Sequence, residues 1–135
     1  KQFNNRYYSP PFTASPQGYT LCLRVDANGD GSGEGSHLSI YAVIMKGQHD
    51  DRLQWPFTGT IIIELLNWLE DKEHYKKTLT IDTNNDFVRV TEEEYGNNYC
   101  YPQFISHSSL NSSTTNTQYL YQDCIRVRVQ AIANN

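Results

Sequence analysis

The chain has 135 residues, of which 38% are hydrophobic and 13% aromatic, and its formal net charge is −4 at pH 7. This length and composition predict one folded domain with a single core, residues 1–135, and exclude a disordered chain. The lysines and arginines do not cluster, and no apolar run approaches the length of a bilayer span. Neither nucleic acid nor membrane insertion is therefore expected.

The opening segment, "KQFNNRYYSPPFTASPQG", is polar and contains three prolines. Proline has no backbone N–H and cannot continue a helix, so this segment is predicted to be irregular or extended. Because the chain begins at Lys1 and not at Met, we expect a domain cut from a longer protein.

Strand patterns then follow one another, separated by turn signals at the spacing of an all-β sandwich or barrel. The continuous apolar run "TIIIELLNW" predicts a central strand covered on both sides, whereas the alternation in "CIRVRVQAI" predicts one wet face. The predicted strands are Tyr19 to Ala27, His37 to Lys46, Thr60 to Asn67, Lys77 to Ile81, Gln103 to Ser106 and Cys124 to Ile132.

Three of the segments between these strands also carry predictions. "DDRLQWPF" is expected to make one helical turn before its proline, and "LNWLEDKEHYKK" a short helix. Residues 107–118, "HSSLNSSTTNTQ", are expected to form a polar loop.

The segment "VDANGDGSGEGSHLSIY" begins like a calcium-binding loop, because Asp26, Asn28 and Asp30 alternate before Gly31. The position that should close the cage with a bidentate Glu is His37, and both flanks are rich in β-branched and aromatic residues rather than helical. Glycine supplies positive φ without a steric penalty, so a hairpin loop is the favoured interpretation. Calcium-dependent binding is the weaker alternative, and no metal or cofactor is predicted.

The hairpin has a consequence for the surface of the sheet. If "TLCLRV" and "LSIYAV" pair with Val25 opposite Ile40, alternation with a period of two places Arg24 opposite Tyr41 on the other side. Such a mixed polar and aromatic surface suits a ligand with an apolar part and an acid; the alternative is an exposed cross-strand pair without a ligand. The same register groups Leu23 with Ala42, Cys22 with Val43 and Asp26 with Ser39.

No pattern indicates catalysis. The glutamates of "TEEEYG" are adjacent and so point to alternating sides of an extended chain, whereas a glycosidase pair must converge. The four histidines lack metal-ligand spacing, and no G-x-S-x-G is present. The three cysteines fit neither a disulfide framework nor a zinc site, which favours a reducing compartment. We predict that the domain is not an enzyme.

A set of ordered motifs carries a family resemblance: "YSPPF", "GYTLCLR", "NGDGSGEGSHLSIY", "MKG" and "WPF", followed by "IIIELLN", "EHY" and "YLYQDCIRVRV". In these the chain resembles the C-terminal domain of the tumour necrosis factor receptor associated factor (TRAF) family, within the MATH domain superfamily. The resemblance implies an antiparallel β-sandwich of seven or eight strands and a cytoplasmic, non-catalytic signalling adaptor. It also implies receptor-tail peptides as partners and a homotrimer formed through a preceding coiled coil. The family's usual first strand, a "W-x-I" segment before "YSPPF", is missing, so either a free sandwich edge or an incomplete domain is expected.

The resemblance also assigns site residues. In the family a peptide adds itself alongside an edge strand, so main-chain hydrogen bonds give affinity and shallow pockets give selectivity. Arg24 and Asp30 match positions that engage an acidic or polar peptide side chain. The matching apolar pocket positions are Tyr41, Ile63 and Phe87.

Three departures from the family pattern bear on specificity. Asp26 stands where many members have Tyr, so it is expected either to quench Arg24 or to reverse its charge preference. The family's serine trio is replaced by Asn84, Asn85 and Asp86. A small Ser-Gly pair is replaced by Tyr99 and Cys100, whose bulk is expected to hold the peptide backbone off. The alternative to peptide binding is thus a degenerate groove on a structural or oligomerisation module.

Overall fold

The computed structural model describes residues 6–82, 88–92 and 98–134, with the backbone alone at residues 98–100. Eight strands, paired antiparallel, form two sheets around one core, which confirms the predicted β-sandwich. The described part of the chain contains no helix with the length and apolarity to cross a bilayer.

The larger sheet has five strands in the order β1-β3-β4-β7, with the short β2 also paired to β3. Alternating β-branched and aromatic residues build β3 and β4, the two central strands. The strands are β1 (Arg6–Tyr8), β2 (Phe12–Thr13), β3 (Thr20–Asp26), β4 (His37–Met45) and β7 (Asn98–Ser106). The described part of the opening segment, residues 6–18, is therefore partly extended and partly irregular, as predicted, and its two extended stretches pair with β3.

The smaller sheet has three strands in the order β6-β5-β8, so β5 is central, as "TIIIELLNW" predicts. They are β5 (Gly59–Leu65), β6 (Tyr75–Ile81) and β8 (Val127–Ala133). The predicted burial on both sides of β5 is wrong: Ile61, Ile63 and Leu65 are buried, whereas Thr60, Ile62 and Glu64 alternate with them and are partly exposed. The three-stranded sheet thus has a covered inner face and an open outer face.

Two predicted connections differ from the structure. The short helix expected in "LNWLEDKEHYKK" is absent; Asn67 instead fixes a turn, since its amide nitrogen donates to the carbonyls of Glu73 and Asn116 at 3.0 and 2.8 Å. The polar segment 107–118 is not all loop, because it opens with one helical turn, α1 (His107–Asn111), that buries Leu110. The helical turn expected in "DDRLQWPF" is present as a 3₁₀ turn, Asp50–Arg52.

The core lies between the two sheets and is filled by alternate residues of their strands. Every second residue of β3 and β4 points into it, and β5 contributes its buried face. The fully buried side chains of largest volume include Phe57, Phe104, Leu21, Ile40, Ile44, Ile61, Ile63 and Leu65. Burial of such side chains is the main stabilising contribution to a sandwich of this kind.

Candidate peptide-binding site

The β3–β4 pairing decides which side chains share a surface. Its register places Val25 opposite Ile40 and Arg24 opposite Tyr41, as the alternation predicts. The Arg24 Cζ lies 4.5 Å from the centroid of the Tyr41 ring, so the two side chains are stacked on the outer face of the five-stranded sheet. The predicted basic and aromatic pair is confirmed.

Asp26 is two residues from Arg24 on the same face of β3 and forms an ion pair with it. The Arg24 Nη2 and Nε donate to the two Asp26 carboxylate oxygens at 2.8 and 3.3 Å. A second arginine binds the same carboxylate, because β1 pairs with β3 and brings Arg6 opposite Asp26. The Arg6 Nε donates to Asp26 at 3.1 Å. Asp26 therefore accepts hydrogen bonds from two guanidinium groups.

Asp30 joins the same group from the hairpin loop. Its Oδ2 lies 3.1 Å from Arg24 Nη2 and accepts a 3.1 Å hydrogen bond from the Tyr41 hydroxyl. Ser39 positions the loop, since its hydroxyl accepts from the Asp30 backbone N–H and donates to the Pro102 carbonyl of β7. We call Arg6, Arg24, Asp26, Asp30 and Tyr41 the arginine cluster.

A glycine in the loop permits this arrangement. A Cβ on Gly33 would lie 1.9 Å from the Pro102 carbonyl oxygen, so no larger residue fits between the loop and β7. The 3₁₀ turn Gly31–Gly33 therefore packs directly on β7, and Asp30 at its start is brought over β4. The segment is a hairpin loop between two strands, as favoured over the calcium loop. Asp26 and Asp30, two of the calcium-loop candidates, are engaged by arginines.

Most of the arginine cluster is enclosed. The side chains of Arg24 and Asp26 are only 7% and 8% exposed, whereas those of Arg6 and Asp30 are 46% and 43% exposed. Tyr41 is buried as well. The alternative of an exposed cross-strand pair is therefore wrong in its exposure, because the Arg24 and Tyr41 pair is largely buried. Solvent reaches the cluster mainly at Arg6 and Asp30.

The electrostatics of the cluster follow from its pairing. Burial by itself raises the pKa of Asp26, but the hydrogen bonds and charges of Arg24 and Arg6 outweigh it, so the pKa is lowered. Burial likewise opposes the charge of Arg24, and Asp26 and Asp30 together still raise the pKa of the guanidinium. Burial, together with the hydrogen bond to Asp30, raises the pKa of Tyr41 to about 12. At neutral pH Arg24 is therefore a cation, Asp26 an anion and Tyr41 a neutral phenol.

The remaining predicted site residues are placed differently. The Ile63 side chain is fully buried in the core on β5 of the other sheet, so the structure does not bring it to the arginine cluster. The backbone of Tyr99 pairs with Ala42 across β4 and β7. Asn84, Asn85 and Phe87 lie outside the described residues.

Sequence reasoning missed Arg6 and the full role of Ser39. Arg6 lies in the segment "NNRYYSPPF", whose prolines obscure the strand pattern, and the β1–β3 pairing has no local signal. The predicted register gives Ser39 only Asp26 as a neighbour, whereas its hydroxyl forms hydrogen bonds with Asp30 and Pro102. Both omissions concern contacts between segments that are distant in sequence.

The β7 edge lies beside this cluster, since the order β1-β3-β4-β7 ends there. Its C-terminal half is engaged by β6 of the other sheet. The Tyr75 hydroxyl donates to the Phe104 carbonyl at 2.9 Å, and Lys77 Nζ donates to the Gln103 carbonyl at 3.1 Å. Lys77 also lies 5.1 Å from the centroid of the Tyr101 ring. A strand added to β7 would therefore pair with its N-terminal half.

The fold and the motifs agree with comparisons to known proteins. Residues 4–128 match the TRAF/meprin, MATH domain family. The chain belongs to this family. It is 40% identical to mouse TNF receptor-associated factor 5 over 122 residues, 90% of this chain and 22% of that protein, and 36% identical to the human protein over the same length.

Two further comparisons extend the likeness. Human TNF receptor-associated factor 2 is 40% identical over 87 residues, 64% of this chain and 17% of that protein. The solved structure of TRAF5 from Notothenia coriiceps superimposes with a TM-score of 0.87 at 32% identity, over 96% of this chain and 63% of that one. This MATH domain spans about a fifth of the length of the curated TRAF5 relatives.

Proposed function

We propose that this MATH domain is a non-enzymatic signalling adaptor module that binds short extended segments of receptor tails. The observation that carries the proposal is the stacked Arg24 and Tyr41 pair on the sheet face beside the β7 edge. The name of the similar proteins, TNF receptor-associated factor, supports a receptor as the partner. We propose TNF-receptor-type tails as the partners for the same reason.

The binding mode we propose is addition of the peptide as a strand alongside β7. An edge strand offers main-chain hydrogen bonds to any extended partner, and side-chain pockets then select the sequence. The carbonyls of Gln103 and Phe104 already accept hydrogen bonds from Lys77 and Tyr75, which directs the peptide to the other end of β7. That end is level with Tyr41, because Cys100 pairs with Tyr41 across β4 and β7.

Two exposed groups give the peptide its first polar contacts in this proposal. Asp30 and Arg6 each keep nearly half of their side chain accessible, at the rim of the arginine cluster. Arg24 and Tyr41 lie beneath them and supply a guanidinium and an aromatic ring. Within the family pattern we propose that Tyr99, Asn84, Asn85 and Phe87 complete the groove.

A second function is favoured by one observation, the enclosure of Arg24 and its pairing with Asp26. An arginine already held by a carboxylate has less to offer a ligand. In this second interpretation the groove is degenerate and the domain is a structural or oligomerisation module. The cytoplasmic location and the homotrimer of the parent protein, which the family resemblance implies, are proposed with either function.

Isothermal titration of the domain with a panel of receptor-tail peptides separates the two functions. Adaptor function predicts micromolar binding that Arg24→Gln abolishes. The matched control is Arg128→Gln, which removes an arginine from a strand of the other sheet whose partner is Glu64. Circular dichroism of both variants at the titration temperature establishes that they are folded. Absence of heat with every peptide would contradict adaptor function and favour the module.

Sedimentation of the isolated domain tests the assembly separately. We expect a monomer if the trimer depends on segments outside this chain. A trimer of the isolated domain would favour an oligomerisation role for the sandwich itself.

A further inference from the structure

Asp26 takes the place that a ligand carboxylate would otherwise occupy on Arg24. A guanidinium has five N–H donors in a fixed planar fork, and the Nε and one Nη together match the two oxygens of a carboxylate. In Arg24 this pair of donors is engaged by Asp26, and Nη2 is shared with Asp30 at 3.1 Å. Among the described residues these ion pairs run through Nε and Nη2 and not through Nη1.

The charges of the arginine cluster already cancel. Arg6 and Arg24 supply two positive charges, and Asp26 and Asp30 supply two negative ones. A ligand carboxylate brought to Nη1 adds a negative charge close to two carboxylates in an enclosed site. Charges that are desolvated without compensation are strongly unfavourable, and like charges placed together disfavour binding further.

A primary carboxamide meets neither obstacle. Its carbonyl oxygen accepts a hydrogen bond from Arg24 without adding charge, and its NH₂ group donates to Asp30, whose carboxylate is nearly half exposed. We propose that this subsite selects a Gln or Asn side chain over Glu or Asp, and that Asp26 is the residue that determines this selection. The inference deepens the proposed function and rests on it, because it requires a peptide beside β7.

The first test compares amide and acid in matched peptides. Each peptide of the receptor-tail panel that binds is remade with Gln and with Glu at every position in turn, and dissociation constants are measured by fluorescence anisotropy. At one position we expect Gln to bind at least about tenfold more tightly than Glu, the size of effect that one unfavourable charge contact produces. Equal affinities at every position would overturn the inference.

The second test changes Asp26 itself. In Asp26→Asn the cluster acquires a net positive charge, so the preference at that position is expected to shift towards Glu. Asp51→Asn is the matched control, because Asp51 also pairs with an arginine, Arg89, but its side chain is 90% exposed. A wild-type preference for Glu that disappears in Arg24→Gln would show that Arg24 is available to acids and would refute the proposal.

A measurement without peptide distinguishes failure of this inference from failure of the proposed function. Thermal unfolding is followed for Arg24→Gln in the wild-type and in the Asp26→Asn background. If Asp26 holds the Arg24 guanidinium, Arg24→Gln should lower the melting temperature at most half as much in the Asp26→Asn background as in the wild type. Equal losses overturn the inference whatever the peptides do. A clear coupling with no binding by any peptide refutes the proposed function, and this selectivity with it.

Discussion

The outer faces of the two sheets each carry an arginine paired with a carboxylate, in opposite surroundings. Arg24 and Asp26 on the five-stranded sheet are 7% and 8% exposed, whereas Arg128 and Glu64 on the three-stranded sheet are 56% and 20% exposed. The nitrogen–oxygen distance is 2.8 Å in both pairs, from Arg24 Nη2 to Asp26 Oδ2 and from Arg128 Nε to Glu64 Oε1. The comparison shows that two arginine–carboxylate pairs of equal length have different roles when their surroundings differ.

The difference arises from the neighbours that each face receives. On the outer face of the five-stranded sheet the central strands β3 and β4 have little exposed surface, since Cys22, Ser39 and Val43 are fully or almost fully buried. Asp26 gains a second arginine there and Arg24 a second carboxylate, so the buried charges compensate one another. On the three-stranded sheet solvent itself stabilises Arg128, and the pair contributes little to stability. Removal of charge should therefore be costly on one face only.

The largest contrast is expected in thiol reactivity. Burial raises the pKa of the Cys22 thiol to about 11, while Cys124, just before β8, is exposed. At pH 8 the thiolate fraction of Cys22 is then roughly one in a thousand, and reagents also cannot reach it. Iodoacetamide should modify Cys124 in the native domain and leave Cys22 unmodified. Peptide mass mapping of the treated protein measures the two extents of modification. Modification of Cys22 at a comparable rate would show that the covered face opens readily.

The next largest effect is expected from Arg24→Gln. Removing one partner of a buried pair leaves Asp26 and Asp30 with fewer compensating donors, and such changes cost on the order of 3 kcal/mol of unfolding free energy. Urea unfolding of the variant and of the wild type measures this difference in unfolding free energy. Arg6 remains to compensate part of the charge, so the cost falls towards the low end if Arg6 rearranges. A neutral effect would mean that the cluster adds no stability.

The pH dependence sharpens the same contrast. The folded-state pKa of Asp26 is lowered, so its contribution to stability is present above its unfolded-state pKa, close to 4, and is lost as pH falls through the folded-state value. Urea unfolding measured from pH 6 down to pH 2 should show a steeper loss for wild type than for Asp26→Asn. Identical slopes of unfolding free energy against pH in the two proteins would contradict the lowered pKa of Asp26.

The smallest effect is expected from Arg128→Gln. Arg128 is exposed, and its hydrogen bond to Glu64 is screened by salt. The midpoint of urea unfolding should stay within experimental error of wild type, and 1 M NaCl should remove any residual difference. A loss of stability comparable to that of Arg24→Gln would contradict the proposed difference between the two sheet faces.

Much of the fold was accessible from sequence because local patterns specified it. Once Val25 is set opposite Ile40, the alternation in "TLCLRV" and "LSIYAV" groups the facing residues of β3 and β4, and the structure has that register. The short helix expected in "LNWLEDKEHYKK" is wrong because Asn67 binds the carbonyls of Glu73 and Asn116 and so fixes a turn. A side chain that bridges distant loops leaves no periodic signal.

Less of the candidate site than of the fold could be predicted from the sequence. With Val25 set opposite Ile40, alternation places Arg24 opposite Tyr41, and the structure brings the Arg24 Cζ to 4.5 Å from the Tyr41 ring centroid. Ile63, assigned through the family resemblance, fills the core of the opposite sheet. The pairing of Asp26 with Arg24 is predicted from sequence, whereas its consequence, quenching or reversed charge preference, stays open there. The contacts of Arg6 with Asp26 and of Lys77 with β7 are not predicted at all.

The amino-acid sequence by itself determined the strands, the hairpin and the side of the sheet on which Arg24 lies, because a strand's two-residue period is set by its own backbone. Only the tertiary structure decided that this side is enclosed, that Arg6 closes over Asp26 and that β6 engages one half of the β7 edge. Burial and charge pairing depend on segments far apart in the chain, which no local pattern encodes. The availability of Arg24 to a ligand is for that reason a property of the folded domain.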